Sequence, residues 1–353
     1  MMTRILHTAD THLGCRQYGL EERREDFSKA FWQIVDMAIS EKVDAVVHAG
    51  DLFDERYVSA EDLRDVLQGL FRLKEAEIPF LAIVGNHEQR RGVQWIDLFA
   101  GLGLAVHLGP EPFSLGEFAF YGMDYAGRRE LRLPKLKEKK SALVLHQMLD
   151  KAQPMQEAEL KSIDMANVGA SLVLLGDYHE HRVWHEGDVM ITYPGSSERW
   201  ALSESSPRGI SLIHLESQRL DRRELQTRPF VFIRENEDPI KGIDAHAKEL
   251  RESVVAVYLE EEGYTIREIE EHGLSKGALA VRVRDLRRPD LAQAEAQGVS
   301  FEVGNLDQKI AERLDRENFS EWTRQIDSIV RDERIADSRV DDEVSRYLEK
   351  VLE

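Results

Sequence analysis

Five short apolar segments of this chain run directly into side chains that are able to bind metal ions. The segments are residues 3–8, 43–48, 78–84, 142–145 and 171–175, and the side chains are Asp10, Asp51, Asn86, His146 and His179. Short, mostly apolar segments are typical of buried β-strands. Segments with the apolar spacing of helices lie between them, so the chain is predicted to form an α/β sandwich. Its ligands would gather at the carboxyl ends of the strands, where open α/β sheets place their sites.

The first two motifs combine carboxylates with an imidazole. In Asp10-Thr11-His12, residues two apart project to the same side of an extended backbone, so Asp10 and His12 can bind one ion. Asp51 follows the second strand, where its two oxygens could bridge two cations. Each motif alone is weak, because such short patterns often arise by chance.

The later motifs add more information. Gly85 permits a tight turn after the third strand, and Asn86 offers a neutral amide oxygen. His146 closes the fourth strand, although a single histidine at a strand end is more often structural. His179 and His181 repeat the spacing of two and predict a metal site. Five such motifs in one order, each after an apolar strand, are improbable by chance.

Together, these motifs resemble the calcineurin-like metallophosphoesterase superfamily. The stretches Thr8-Ala9-Asp10-Thr11-His12-Leu13-Gly14 and Gly50-Asp51-Leu52-Phe53 resemble, more narrowly, the SbcD-type nuclease family. The archaeal and eukaryotic branch of that family is the meiotic-recombination-eleven nuclease of double-strand-break repair. The resemblance implies a two-sheet phosphoesterase sandwich flanked by helices, with a small α+β capping domain and C-terminal helices.

After about residue 185, strands are expected at 189–193, 209–215 and 228–233 without helices between them, which suits a second sheet or a sheet edge. Residues 234–239 are polar and end in proline, as linkers often do. A compact helix–strand stretch follows, with helices expected at 243–252 and 265–271 and strands at 254–260 and 278–283. We therefore predict three parts: a nuclease domain at 1–233, a DNA-contacting capping domain at 240–303, and a helical tail at 306–353.

The resemblance implies two manganese ions per chain. The first would be held by Asp10, His12, Asp51 and His181, and the second by Asp51, Asn86, His146 and His179. His87 would steady the transition state or protonate the leaving oxygen, and the alternative is that it only hydrogen-bonds to a ligand. Asp54 and Glu88 would support the centre from outside the ligand set and orient His87. Mixed nitrogen and oxygen ligands suit manganese, iron or zinc better than calcium.

The function implied is manganese-dependent exonuclease and endonuclease activity that processes DNA double-strand-break ends by two-metal phosphodiester hydrolysis. Asp54 stands where the archaeal and eukaryotic branch commonly has histidine, and Glu88 stands where aspartate is frequent. One alternative is a protein or small-molecule phosphatase of the same fold, although the arginine that protein phosphatases place after the second motif is missing, since Glu55 follows Asp54. Another is a non-catalytic scaffold that tethers DNA ends, against which the complete ligand set argues.

The formal net charge of −19 is unusual for a protein that binds DNA. Either the chain does not touch DNA, or an acidic surface coexists with local basic patches. The 47 basic residues comprise 14 lysines and 33 arginines. Few lysines beside many acidic residues indicate an archaeal protein from a high-salt cytoplasm, where charge repulsion is screened within about 3 Å at 1 M salt. Stability after dialysis into low salt would contradict this hypothesis.

Four residues in loops after the ligand motifs are candidates for DNA contact: Arg16, Tyr18, Arg90 and Arg91. Charged loop residues are, however, usually only solvated surface. The single cysteine, Cys15, excludes an internal disulfide and fits a reducing cytosol. Without an apolar run of about 18 residues or a signal peptide, we expect no membrane span and a cytoplasmic protein. The family resemblance implies a prokaryotic, nucleoid-associated one.

The resemblance also implies two protein partners. An SMC-like ABC ATPase would dock on residues 306–353, whose apolar residues recur at helical spacing. Packing of that tail on its own domain fits the same periodicity. A second copy of the chain would pair through helices near residues 60–75 and 94–102. The apolar stripe that contains Leu63, Leu67 and Phe71 could supply the dimer surface or face the chain's own sheet.

Overall fold

The computed structural model describes residues 3–127, 131–152, 158–234, 238–259, 263–286, 321–330, 344 and 346–348. The chain forms two compact units, one of residues 1–258 and 263–284, the other of residues 259–262 and 285–353. None of the helices in the described ranges is long and apolar enough to cross a membrane.

Two six-stranded sheets make up most of the first unit. The first has the order β12-β11-β1-β2-β3-β4, with strands β1 Arg4–Thr8, β2 Ala45–Ala49, β3 Phe80–Ile83, β4 Val106–His107, β11 Gly209–His214 and β12 Arg219–Glu224. Strands β1 to β4 are parallel, and β11 and β12 continue the sheet in antiparallel pairing. The carboxyl ends of β1, β2 and β3 therefore lie at one edge, where the first three motifs follow them.

The later motifs lie at the ends of strands in the second sheet. Its order is β5-β6-β7-β8-β10-β9, with strands β5 Phe113–Leu115, β6 Phe118–Met123, β7 Ser141–His146, β8 Leu172–Gly176, β9 Arg182–Glu186 and β10 Val189–Tyr193. Strands β6, β7, β8 and β10 are parallel, whereas the edge strands β5 and β9 are antiparallel to their neighbours. His146 ends β7, and Asp177 directly follows β8.

Three apolar clusters hold these layers together. Alternation along β1 sends Leu6 toward the helices α1 Glu21–Ser40, α2 Ala60–Glu75 and α3 Trp95–Gly101. It sends Ile5 into the layer between the two sheets, as the period of two in a strand requires. Leu143 and Val173 belong to a third cluster, which covers the outer face of the second sheet. The predicted two-sheet sandwich flanked by helices is confirmed.

The apolar faces of α1 and α2 are buried to different extents. Five apolar residues at helical spacing on one face of α1 are all buried: Phe27, Phe31, Ile34, Val35 and Ala38. On α2, Val66 and Leu70 are buried, Leu63 and Leu67 are packed against the same core, and Phe71 is 51% exposed. Most of the α2 stripe therefore faces its own sheet.

A smaller sheet, β13-β14-β15, follows the sandwich. Its strands are β13 Phe230–Ile233, β14 Val254–Leu259 and β15 Ala280–Asp285, with helices α4 Pro239–Ala245 and α5 Ile266–Ser275. This is the helix–strand stretch predicted for the capping domain. Strand β13 pairs with β14 in parallel, so this sheet includes residues before 240, where the predicted domain starts. Residues 287–303 of the predicted domain lie outside the described residues.

Sequence periodicity missed five strands, β4, β5, β6, β9 and β12. Strands β4 and β5 are only two and three residues long, too short for a pattern. Strand β12 reads Arg-Leu-Asp-Arg-Arg-Glu and carries no apolar face. In the predicted tail, α6 spans Glu321–Val330, and residues 344 and 346–348 are helical. The rest of residues 306–353 lies outside the described residues.

Candidate metal centre

The predicted ligands lie where strands of both sheets end. Asp10, His12, Asp51 and His146 are all buried. Asp10 donates its backbone N–H to the Gly50 carbonyl at 3.0 Å, and the His12 N–H reaches the Asp51 carbonyl at 3.1 Å. These bonds join the segment after β1 to the segment after β2, so the first two motifs form one structural unit.

The backbone in these segments is unusual. The φ angles are 51° at Asp10, 42° at His12, 54° at Asp51 and 85° at Asp177, all in the left-handed region that most residues avoid. Residues held in such conformations need surroundings that fix them, and they concentrate at functional sites. Four cases around one cluster of carboxylates and imidazoles mark this edge as the site.

One group of possible ligands contains Asp10, His12 and His179, whose donor atoms all lie within 4.8 Å of one another. The Nε2 atoms of His12 and His179 are 3.2 Å apart. His179 Nδ1 lies 2.7 Å from a Glu204 carboxylate oxygen. That carboxylate accepts a hydrogen bond from the Nδ1–H group of His179, so the lone pair on Nε2 can bind a cation. Burial lowers the pKa of His179, but the hydrogen bond to Glu204 and the charges of Asp10, Glu204 and Asp51 together outweigh it and raise the pKa to about 9.

A second group contains Asp10, Asp51 and His146 within the same limit of 4.8 Å. His146 Nε2 is 3.3 Å from Asp51 Oδ2 and 2.9 Å from Asn86 Oδ1. Its Nδ1 donates to the Ala49 carbonyl at 2.7 Å, which directs the Nε2 lone pair toward these oxygens. Asp10 belongs to both groups. Asp51 Oδ2 is also 4.0 Å from His12 Nε2, so the carboxylates of Asp10 and Asp51 both lie between the imidazoles of the two groups.

Buried carboxylates dominate the charge of the centre. Burial opposes a charge on His146, but Asp51, Asp10 and Asp177 raise the pKa of His146 well above its ordinary value. Burial raises the pKa of Asp177 to about 7, and the charges of Asp10 and Asp51 act in the same direction. Carboxylates crowded in a buried space need a counter-charge. With imidazole nitrogens and an amide oxygen beside them, they fit two divalent cations of the manganese, iron or zinc type.

Two glycines make this close arrangement possible. A Cβ atom on Gly85 would lie 2.0 Å from Asp51 Oδ1, and one on Gly176 would lie 2.1 Å from the Ala49 carbonyl oxygen. Neither position has space for a side chain. Gly85 is therefore required by the close packing of the segments after β2 and β3 in the first sheet, and Gly176 by the approach of β8 of the second sheet to β2.

His87 lies beside the ligands with its side chain 30% exposed. Its Nδ1 donates to the Asp54 carbonyl at 2.9 Å, and its ring centroid is 4.8 Å from that of His12. The orienting group is the Asp54 backbone, since the Asp54 carboxylate oxygen is 3.8 Å from Nδ1. This corrects the expectation for Glu88, which is buried and accepts the backbone N–H groups of Phe53 and Gly85 instead.

Comparison with known proteins identifies the family of this chain. Residues 3–181 match the calcineurin-like phosphoesterase family. Over 99% of its length the chain is 39% identical to the DNA double-strand break repair protein Mre11 of Haloferax volcanii, and it covers 82% of that protein. It is 38% identical over its whole length to the protein of that name from Halobacterium salinarum, of which it covers 95%. The chain belongs to the Mre11 family. It is 40% identical to the relative from Methanosarcina mazei but spans only 60% of that protein's length.

Family membership confirms the predicted resemblance and the enzyme class, a phosphoesterase with the calcineurin-like fold. Two of these Mre11 relatives come from Haloferax and Halobacterium. A high-salt cytoplasm, proposed above as the cause of the acidic composition, remains a prediction for this Mre11-family chain.

Sequence reasoning missed a tryptophan in this Mre11-family site. Trp200 is 38% exposed, and its ring centroid lies 5.8 Å from His12, 5.7 Å from His87 and 5.8 Å from His179. Its indole Nε1 donates to Asp54 Oδ1 at 3.0 Å. Asp54 Oδ1 is also 3.2 Å from His12 Nδ1. No ligand-type pattern surrounds Trp200 in the sequence, so only its position in the fold reveals it.

The four candidates for DNA contact have different surroundings. Arg16 lies with Trp200, Asp54 and Tyr57 on the wall of a cavity of about 370 Å³, and it pairs with Glu21 at 2.9 Å. The Arg282 guanidinium lies 4.5 Å from the ring centroid of Tyr18. Arg90 stacks on Trp95 at 4.9 Å, and Arg91 is exposed. Of the four, the cavity wall includes only Arg16.

His181 occupies a different environment from the one expected. Its Nδ1 lies 2.9 Å from the Tyr193 carbonyl oxygen. It belongs to none of the three groups of possible ligands found among the described residues, the third of which contains His12, Asp54 and His87. His179, and not His181, is grouped with Asp10 and His12.

Proposed function

We propose that this chain is a manganese-dependent nuclease that processes DNA double-strand-break ends in the cytoplasm of a prokaryote, in complex with an SMC-like ABC ATPase. The observation that carries the proposal is the pair of adjacent donor groups with Asp51 between them. Such a pair is the arrangement that two-metal phosphodiester hydrolysis uses, and DNA repair is named in the Mre11 relatives.

The residues divide the work of the reaction. When bound, the two ions supply a nucleophilic water and positive charge for the phosphate. Asp51 keeps the two groups of ligands at a fixed distance from each other, because its Oδ2 faces both His12 and His146. With Nδ1 fixed on the Asp54 carbonyl, His87 can present Nε2 to the substrate and protonate the leaving oxygen.

The surroundings of the centre favour a nucleic acid over a phosphoprotein. Trp200 keeps 38% of its surface exposed at the site, and it lines the same cavity as Arg16. An exposed indole is a stacking surface for any nucleobase, and a guanidinium binds phosphate or stacks on a base. A local pair of this kind lets a protein with net charge −19 hold DNA at one place.

The test is hydrolysis of linear double-stranded DNA at high salt, with Mn²⁺ or with EDTA. We expect cleavage that requires Mn²⁺ and that His87→Ala slows by about 10²- to 10⁴-fold, the usual contribution of an acid catalyst. A generic aryl phosphate runs alongside.

The Mn²⁺ content of His87→Ala serves as the control, because His87 is proposed to act on the substrate and not to bind the ions. Rapid turnover of the aryl phosphate with intact DNA would replace the nuclease proposal by a phosphatase. Bound Mn²⁺ without turnover of either substrate, also in the presence of the ATPase, would favour the tethering scaffold.

We also propose that the chain pairs with a second copy through α2 and α3. Phe71 lies on α2, Leu98 lies on α3 and Leu102 directly follows α3; they are 51%, 47% and 60% exposed. Large apolar residues exposed on neighbouring elements are typical of protein interfaces. Phe71→Glu with Leu102→Glu should convert a dimer to a monomer in sedimentation equilibrium. Ile163→Glu is the matched control, since Ile163 is 60% exposed away from these helices.

A further inference from the structure

We propose that Arg23 is a positioning residue for Trp200, and that it fixes the indole at the metal centre by holding the backbone on both sides of Trp200. The proposal rests on the role in DNA binding that the proposed function gives to Trp200. The side chain of Arg23 is completely buried, so its guanidinium cannot touch a nucleic acid. Any effect of Arg23 on the substrate must therefore act through other residues.

The polar backbone groups around Trp200 are bonded to side chains. The N–H of Trp200 donates to Glu204 Oε2 at 2.9 Å, and the Trp200 carbonyl accepts from Gln17 Nε2 at 2.6 Å. The Arg199 carbonyl, in the peptide group before Trp200, accepts from Arg23 Nη2 at 2.8 Å. Trp200 lies outside the helices and strands, so these bonds replace those of a backbone ladder. They fix both peptide planes at its Cα atom, and with them the direction of the side chain.

Arg23 takes part in two of these contacts. Its Nη2 holds the Arg199 carbonyl directly. Its Nε donates to Gln17 Oε1 at 3.0 Å, so the amide of Gln17 is oriented with Nε2 toward Trp200. The remaining nitrogen, Nη1, donates to Asp26 Oδ2 at 2.7 Å. The guanidinium carries donors on three nitrogens in one rigid plane, whereas an ammonium is a single point charge that cannot reach three such acceptors together.

The buried charge of Arg23 is compensated by two carboxylates. Asp26 and Glu198 are both buried, and their oxygens lie 2.7 and 3.4 Å from the guanidinium. Replacing a buried ion group of this kind by apolar residues is often neutral or stabilising, so stability alone does not account for it. The group does give the neighbouring chain one defined geometry, and that chain is the segment that carries Trp200.

The position that these bonds fix is next to the ions of the proposed function. The ring centroid of Trp200 lies 5.8 Å from that of His12 and 5.7 Å from that of His87. A base stacked on the indole is thereby kept beside the metal centre. If the indole turned away, the ligands would stay in place and the stacked base would be lost. Changes at Arg23 should therefore weaken DNA binding without loss of ions.

A contact between Arg23 and the capping sheet gives a competing, structural role. The guanidinium carbon lies 5.2 Å from the ring centroid of Phe230, the first residue of β13. If Arg23 served only to attach this sheet, a change at Gln17 would leave DNA binding unaltered. The positioning role predicts the opposite, because Gln17 is bonded to both Arg23 and Trp200.

The test measures the Kd of the full chain for a labelled, cleavage-resistant phosphorothioate DNA by fluorescence anisotropy, with Mn²⁺ at high salt. Arg23→Lys keeps the charge beside Asp26 and Glu198, and Gln17→Ala removes a half-buried amide. Each should raise the Kd about five-fold or more, because stacking on Trp200 is impaired. The Mn²⁺ content and the turnover of an aryl phosphate should stay within about two-fold of the wild type.

The decisive comparison repeats both changes in a Trp200→Ala background. Groups that act through the indole should have less than about a two-fold further effect on the Kd once the indole is absent. Arg24→Gln is the matched control and should bind DNA as the wild type does. Arg24 is the next residue on α1, and its guanidinium pairs with Asp62 at 2.9 Å.

The possible results separate this proposal from the proposed function. Weaker binding by Trp200→Ala, with no change in Arg23→Lys and Gln17→Ala, would overturn the positioning role and leave the proposed function standing. Equal losses with and without the indole would also overturn it, and would assign Arg23 to the capping sheet. A wild type that binds no DNA would overturn both proposals. Circular dichroism verifies folding, and Gln17→Ala alone decides the outcome if Arg23→Lys does not fold.

Discussion

The floor of the metal centre and its rim are built differently. Asp10, Asp51 and His146 form the floor and are fully buried, whereas His87 and Trp200 form the rim and are partly exposed. On the floor, backbone groups orient the side chains, as the Ala49 carbonyl does for His146. At the rim, His87 is oriented by the Asp54 carbonyl and Trp200 by the Asp54 carboxylate, so a single residue positions both side chains.

The difference indicates which positions tolerate change. Floor residues are fixed by strand ends and by glycines that leave no space, so a substitution there disturbs ion binding. The indole of Trp200 depends on one side-chain hydrogen bond and on contacts with histidine rings. Substitutions at the rim should therefore alter substrate binding or catalysis and leave the ions in place.

Gly85→Ala is expected to have the largest effect, because it acts on the floor. The added Cβ would lie 2.0 Å from Asp51 Oδ1 and 2.3 Å from the Asp51 nitrogen, so Asp51 must move. We expect a loss of about 1–3 kcal/mol in the free energy of unfolding and loss of tight binding of both ions, measured by urea denaturation and by titration with Mn²⁺. Gly101→Ala is the control, since a Cβ on Gly101 meets nothing within 4 Å. Equal Mn²⁺ affinity in the two variants would contradict the comparison.

Trp200→Ala tests the rim. Stacking of one base on an aromatic side chain contributes about 1–3 kcal/mol, so the KM for DNA should rise roughly 5- to 150-fold. Turnover of an aryl phosphate and the Mn²⁺ content should not change. Trp200→Phe should recover most of the affinity for DNA, because it keeps a stacking face. If the variant lost its ions, Trp200 would belong to the support of the floor.

The smallest effect on the metal centre is expected from a residue outside it, His107 on β4. His107 lies 2.9 Å from Asp124 and 2.7 Å from Asp97, and Asp124 also accepts the N–H of Val84, which follows β3. The hydrogen bond to Asp124 raises the pKa of His107 to about 9, from an ordinary 6.5. Because the folded-state pKa is the higher one, this stabilisation is complete below the ordinary value and is lost as the pH rises through about 9.

The measurement is urea denaturation of the wild type and of His107→Gln at constant salt. The wild type should be more stable near pH 6, and the two midpoints should converge at about pH 10. The Mn²⁺ affinity of His107→Gln at neutral pH should stay within a few-fold of the wild type, since His107 is not a ligand. A stability difference independent of pH would show that packing, not charge, links β3 to β4.

Much of the fold could be predicted because its strands are short, apolar and followed by distinctive residues. The first three motifs follow parallel strands β1, β2 and β3, so their meeting at one edge follows from the architecture. The polar strand β12 carries no apolar pattern and could not be predicted. Pairing of β13 with β14 brings together residues more than 20 positions apart, which local periodicity does not report.

By itself, the sequence determined the family, the two-sheet architecture and the residue types of the centre, because these depend on local pattern and chemistry. Only the tertiary structure decided which of Asp177, His179 and His181 face that centre, since a spacing of two fits either pair. The register was set by the left-handed turn at Asp177 and by the close approach of Gly176 to Ala49. Trp200 likewise gained its position over three histidines from packing between distant segments, which no short motif encodes.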